Sequence, residues 1–305
     1  MLYISSFFMS DGMTYDTSQF YKMAQVIVNG ATPYVDFQDP KPPLIYFTLT
    51  LPLLLGQKFL VGMLLVGICD LASAALVMQI GWKLYGRFAG VIAGLLFVLN
   101  IAWAQGYFIM TEPFTVLFIL LAAYFSLCSA KRHYFIAGLS LGIAIGFKQY
   151  ALIALPLLLL AFYLNKELKH APAFLAGVAL PLIAVFGAIL AAYGEHTMDA
   201  ALYWSFGVAG SYIGEADTDG MTNYQSNPLM LLPSLAMAVS MFVSLIFVAF
   251  SGVCRDHRLK SEEVFFLLAA VCFALTILIR QYLHYWVLAL PFFALLCARI
   301  FRDNP

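Results

Sequence analysis

A few charged residues at the edges of apolar runs have types that could do chemistry. Lys41, Lys148 and Arg280 are cations, and Asp16, Asp36, Asp39 and Glu112 are carboxylates. His284 and Tyr285 lie in the stretch "RQYLHYW", which starts at Arg280. Cations preorganised at a membrane boundary can bind a phosphate, and a neutralised phosphate leaves without a general acid. A positioned carboxylate can take the proton of an attacking hydroxyl. Together with Asp11, these residues outline a group transfer in which the cations hold a phosphate and one of the carboxylates takes a proton.

Each residue also has a purely structural explanation. Asp16 suits the N-cap of the segment "DTSQFYKMAQVIVNG", with Gln19 three residues on completing a capping-box-like pair. Lys41 can pair with Asp39. Lys148, in "GFKQY", can snorkel to water. Glu112 can complement the dipole of a helix that has Pro113 at its first position. Asp70 falls inside an apolar span, where it is expected to face the bundle and to have no catalytic role.

The elements that must position these residues are helices in a bilayer. The chain is 63% hydrophobic and 10% charged, against about 25% charged in soluble domains, and its mean hydropathy is +0.89. A net charge of zero gives no sign of a nucleic-acid partner. The five cysteines form no C-x-x-C pair and read as small apolar residues. Hydropathy marks about nine spans: 59–82, 88–104, 113–129, 134–147, 149–164, 171–193, 229–252, 264–279 and 286–301. The expected fold is an all-α, polytopic transmembrane bundle, a single domain over 1–305. The opening "MLYISSFFM" is too short to span and reads as the tail of a preceding helix.

Charge decides the least regular point, whether 134–164 is one helix or two. With two, eleven of the sixteen basic residues fall on one side, including Lys83, Arg132, Lys166 and Arg299. That side is cytoplasmic by the positive-inside rule. One long helix would instead put the purely acidic stretch 194–228 inside, so the break at Lys148 is preferred. Residues 1–42 then form the first outer loop, with an interfacial amphipathic helix over 16–30. Its stripe is Phe20, Met23, Ala24, Ile27 and Val28, and Gly30 is its stop. The prolines of "PYVDFQDPKPPLIYF" make a stiff extended strap that fixes Asp36, Asp39 and Lys41 before a helix resumes near Leu44.

Several motifs together resemble the GT-C glycosyltransferases, in the branch holding protein O-mannosyltransferases and the lipid A aminoarabinose transferase. They are D-x-x-x-F-Y-x-x-A from Asp16 to Ala24, NG-x-x-PY-x-DF from Asn29 to Phe37 and D-x-KPP from Asp39 to Pro43. "TEP" at Thr111–Pro113, the lysine of "GFKQY" and HYW-x-x-x-LP from His284 to Pro291 extend the likeness. Thr17 departs from the pattern, which often has Glu there. The resemblance implies a multi-pass plasma- or inner-membrane enzyme that works without an essential metal or cofactor. It implies inverting transfer of a sugar from a polyprenyl-phosphate donor, outside the cytoplasm, to a glycan, lipid or protein acceptor. It further implies Asp16, which matches the spacing from "NG" better than Asp11, as base, Lys41 at the donor phosphate with Asp39 in support, and contacts from Lys148, Arg280 and His284. The rival classes are a transporter or lipid flippase and a noncatalytic membrane protein. A transporter would place charge at mid-membrane on repeated, broken helices, whereas here charge gathers at the ends of the spans.

Overall fold

The computed structural model describes residues 14–56, 58–129, 132–208, 231–255, 259–278 and 282–302. Asp11, Arg280 and positions 209–228 of the acidic stretch lie outside the described residues. Among those described, the chain is helical with no strand. The helices are α1 (Tyr15–Val28), α2 (Leu44–Leu54), α3 (Lys58–Tyr85), α4 (Arg87–Ile101), α5 (Thr111–Ala123), α6 (Tyr134–Phe147), α7 (Ala154–Leu164), α8 (Ala171–Tyr193), α9 (Glu195–Leu202), α10 (Leu231–Arg255), α11 (Ser261–Ala274) and α12 (Leu290–Ala298). Lys58–Tyr85, Thr111–Cys128 and Leu168–Tyr193 are each long and apolar enough to cross a membrane. Among the described residues, each segment expected to span is mainly helical, although the last one is pieced together from the turn Leu283–Leu288, α12 and the turn Arg299–Phe301.

α1 forms where its apolar stripe predicts, and Phe20, Met23 and Ala24 are buried. Its cap differs from the sequence expectation. Thr14, not Asp16, is the N-cap: its backbone is extended and its Oγ1 accepts the Thr17 amide proton at 3.2 Å. Asp16 falls in the first turn, so its carboxylate is not held as the cap. The far end closes as a Schellman motif. Gly30 takes φ +74°, its N–H donates to Ile27 O at 3.1 Å, and the Ala31 N–H donates to Val26 O at 3.0 Å. The left-handed backbone there favours glycine.

The chain breaks at Lys148, whose backbone is extended between α6 and the turn Gln149–Ile153. Tyr134, at the start of α6, packs edge-to-face on Phe162, near the end of α7, with centroids 5.0 Å apart. The two helices therefore run back on each other as a hairpin.

α6 carries glycines at 138, 142 and 146, a small residue every fourth position on one face. A Cβ on Gly138 would lie 2.0 Å from Phe174 O, and one on Gly142 would lie 2.3 Å from Val178 O. That face thus brings the backbones of α6 and α8 together. One turn on, a Cβ on Gly146 would meet Leu44 Cδ1 at 2.6 Å. The last glycine seats the first residue of α2 and, with it, the end of the strap.

Charged contacts sort to two poles. At one, Arg132 pairs with Glu167 and reaches Glu262 at 3.7 Å. Arg299 pairs with Glu263 at 2.8 Å and donates to Gly252 O at 2.6 Å. These contacts tie the α5–α6 and α7–α8 connections to the ends of α10, α11 and α12. The strap, the start of α5, the break at Lys148 and the turn with His284 meet at the opposite pole.

Candidate active site

At that second pole, segments far apart in sequence bring most of the expected residues together. Glu112 enters from the first turn of α5, only 1% exposed. It is the second helical residue and Pro113 the third, not the first as expected. Lys148 arrives from the hairpin apex at 2% exposed and forms an ion pair with Glu112 Oε1. Its ammonium also lies 4.1 Å from the ring centre of Tyr285 and 5.2 Å from that of Tyr150. A lysine buried this deeply needs a counter-charge, because removing an unpaired ammonium from water is prohibitive. The structure therefore replaces the snorkelling cation with a paired one, framed by two aromatic faces.

His284 joins the pair to Asp16. Its Nε2 lies 3.6 Å from Glu112 Oε1 and 4.0 Å from Asp16 Oδ2. A ring nitrogen facing two carboxylates is favoured as the protonated one. The imidazole stacks on Tyr282 at 5.3 Å and meets Tyr285 edge-on at 5.0 Å, so its plane is fixed. Burial holds His284 below its ordinary pKa of 6.5; Glu112 and Asp16 oppose that shift, while Lys148 and Lys41 add to it. Glu112 is fully engaged, since the Thr111 hydroxyl also donates to its Oε2 at 3.1 Å. The Asp16 side chain is 34% exposed and opens outward. Thr17, beside it, anchors α1 by donating to Ile109 O at 2.9 Å.

The strap closes this arrangement. The Tyr34 hydroxyl donates to Lys41 O at 2.7 Å. Tyr34 has φ 63°, a left-handed backbone unusual for a bulky residue, and its ring is buried against Tyr46 at 5.8 Å. Gln149, next to Lys148, donates from Nε2 to Pro40 O at 3.0 Å. Lys41 is half-buried and within electrostatic reach of Asp39, Lys148 and His284. Asp39 is 8% exposed. Burial pushes its carboxyl up from 3.8; Lys41 and the Tyr46 hydroxyl pull it back, and Asp16 pushes it up again.

Asp36 has a different part. It is exposed, and its Oδ2 accepts the Thr32 N–H at 2.7 Å, closing the turn that starts the strap. Sequence reasoning missed Thr14, Tyr34 and Gln149. Each carried a signal: Thr14 is a residue type that caps helices, Tyr34 is the tyrosine of NG-x-x-PY-x-DF, and Gln149 stands beside Lys148 in "GFKQY". Next to Tyr285, Trp286 helps line an apolar groove of about 290 Å³ between α10, α11 and α12, with Val239, Ile246, Val271, Leu275 and Phe293.

The fold and site are those of an all-α membrane protein with a buried charge cluster at one pole. The family described as dolichyl-phosphate-mannose-protein mannosyltransferase matches residues 40–190. The matched stretch includes Lys41, Glu112 and Lys148 but neither Asp16 nor His284. This match and the apolar helices support a membrane glycosyltransferase of mannosyltransferase-like type. No curated protein and no solved structure matches the chain.

Proposed function

We propose that the protein transfers a sugar from a polyprenyl-phosphate carrier to an acceptor hydroxyl on the non-cytoplasmic face of the membrane. The observation that carries this reading is the convergence of Asp16, Asp39, Lys41, Glu112, Lys148 and His284 on one pole of a mostly apolar bundle. Lys41, fixed by the strap, contacts the lipid phosphate and neutralises it as the leaving group. Lys148 adds positive potential from beneath, while its own pair with Glu112 keeps the buried charge balanced. The lipid arm lies in the apolar groove lined by Trp286, whose neighbour in the chain, Tyr285, faces the Lys148 ammonium.

Asp16 is the base. Glu112 is buried and has all its partners, whereas Asp16 is reachable from outside and sits where an acceptor can approach. It takes the hydroxyl proton as the oxygen attacks the anomeric carbon, and one displacement inverts that centre. The acceptor is a hydroxyl-bearing glycan, lipid or protein of the cell envelope. The test uses the purified full chain with dolichyl-phosphate mannose and an envelope extract as acceptor. Release of dolichyl phosphate, suppressed by Lys41→Glu, is the expected result. No release from the wild type, or release unaffected by Lys41→Glu, contradicts the reading.

A further inference from the structure

Two buried oxygen atoms beside the strap lack hydrogen-bond partners among the described residues: Asp39 Oδ1 and Gln149 Oε1. The Gln149 orientation is set by its own amide nitrogen, which donates to Pro40 O at 3.0 Å. Its other end is therefore the carbonyl, an acceptor. Asp39 immediately precedes Pro40, so both orphan acceptors flank one strap residue, with Lys41 next in the chain. A buried acceptor left without a donor is destabilising, more so when it is charged. Both side chains border the same strap residue, where a ligand that brings donors would satisfy them.

We propose that Asp39 and Gln149 form the subsite that receives the hydroxyl groups of the transferred sugar. This assignment rests on the transferase reading above, with the phosphate at Lys41. A sugar attached to a phosphate held there lies against the same stretch of strap. Its hydroxyls are the complement of two acceptors, and their spacing on the ring sets which sugar fits. A site built to hydrogen-bond a hydroxyl discriminates strongly against a ligand without it. Asp39 thereby belongs to sugar recognition, not to phosphate binding, which its negative charge opposes.

The experiment measures binding of dolichyl-phosphate mannose and of dolichyl phosphate to the detergent-solubilised full chain, for the wild type, Asp39→Asn and Gln149→Ala. The wild type should bind the mannosylated lipid more tightly than the bare one. Each variant should lose about tenfold or more in affinity for the mannosylated lipid. Binding of the bare lipid should be kept, or tightened in Asp39→Asn, and this also shows that the variants are folded. Equal losses for both lipids overturn the subsite, and so does a wild type that gains nothing from the mannose; the transferase reading survives either result. A wild type that binds neither lipid removes that reading and the subsite together.

Discussion

Lys148 and Glu112, separated by 36 residues in sequence, meet as a buried ion pair beneath His284. The pair fixes the approach of the α6–α7 hairpin apex to the first turn of α5. Removing one partner leaves an uncompensated charge in an apolar interior. Glu112→Gln or Lys148→Met alone should therefore destabilise the fold by about 3–5 kcal/mol. The double variant should be closer to wild type than the sum of the two. Thermal unfolding of all four proteins in one detergent measures this coupling. Additive losses would show that the two side chains do not depend on each other.

The glycine face of α6 gives a graded prediction. Gly138→Ala drives a methyl into the Phe174 carbonyl, a backbone atom that cannot step aside. It should cost about 1–3 kcal/mol in melting experiments. Gly146→Ala meets the Leu44 side chain and no backbone atom, and that side chain can rotate. Its stability loss should be smaller, but it should weaken donor binding by shifting the strap. The reverse order of stability loss would mean that the α6–α8 contact is not as close as described.

Asp39 links stability to pH. Burial raises its folded-state pKa above 3.8, so in that window the folded protein holds the proton more tightly than the unfolded chain does. Stability from this group is present below 3.8 and is lost as pH rises through the folded value. Asp39→Asn has no such loss. Its melting temperature relative to wild type should therefore climb as pH is raised from the acid side towards neutrality, while sugar transfer falls. A difference that is flat with pH would show that Asp39 does not titrate in the folded protein. Greater stability with less activity is the behaviour expected where a buried polar group is kept for function.

Much of the architecture is legible in the sequence because hydropathy and charge report it directly. The segments 134–147 and 171–193 match helices at both ends, and the break at Lys148 follows from the distribution of lysine and arginine. The stripe and the glycine stop of α1 are equally local. The N-cap is not, because Thr14 and Asp16 both suit the position and only the extended backbone at Thr14 separates them. Asp36 looks like a site residue from its neighbours, yet it closes a turn. The partners of Lys148 and Gln149 depend on where the strap and α5 come to lie, which no short window of sequence contains. The Glu112–Lys148–His284 arrangement is tertiary, and periodicity carries no trace of it.

The most direct test of the account is the turnover of Asp16→Asn, measured with dolichyl-phosphate mannose under saturating donor. The substitution keeps the shape of the side chain and removes its basicity. Because Thr14 supplies the cap of α1, the helix should remain in place. The account predicts a fall in turnover of roughly 10²–10⁴-fold, the contribution of a positioned base, with donor binding retained. Turnover equal to that of the wild type would contradict the assignment of Asp16 as the group that takes the acceptor's proton.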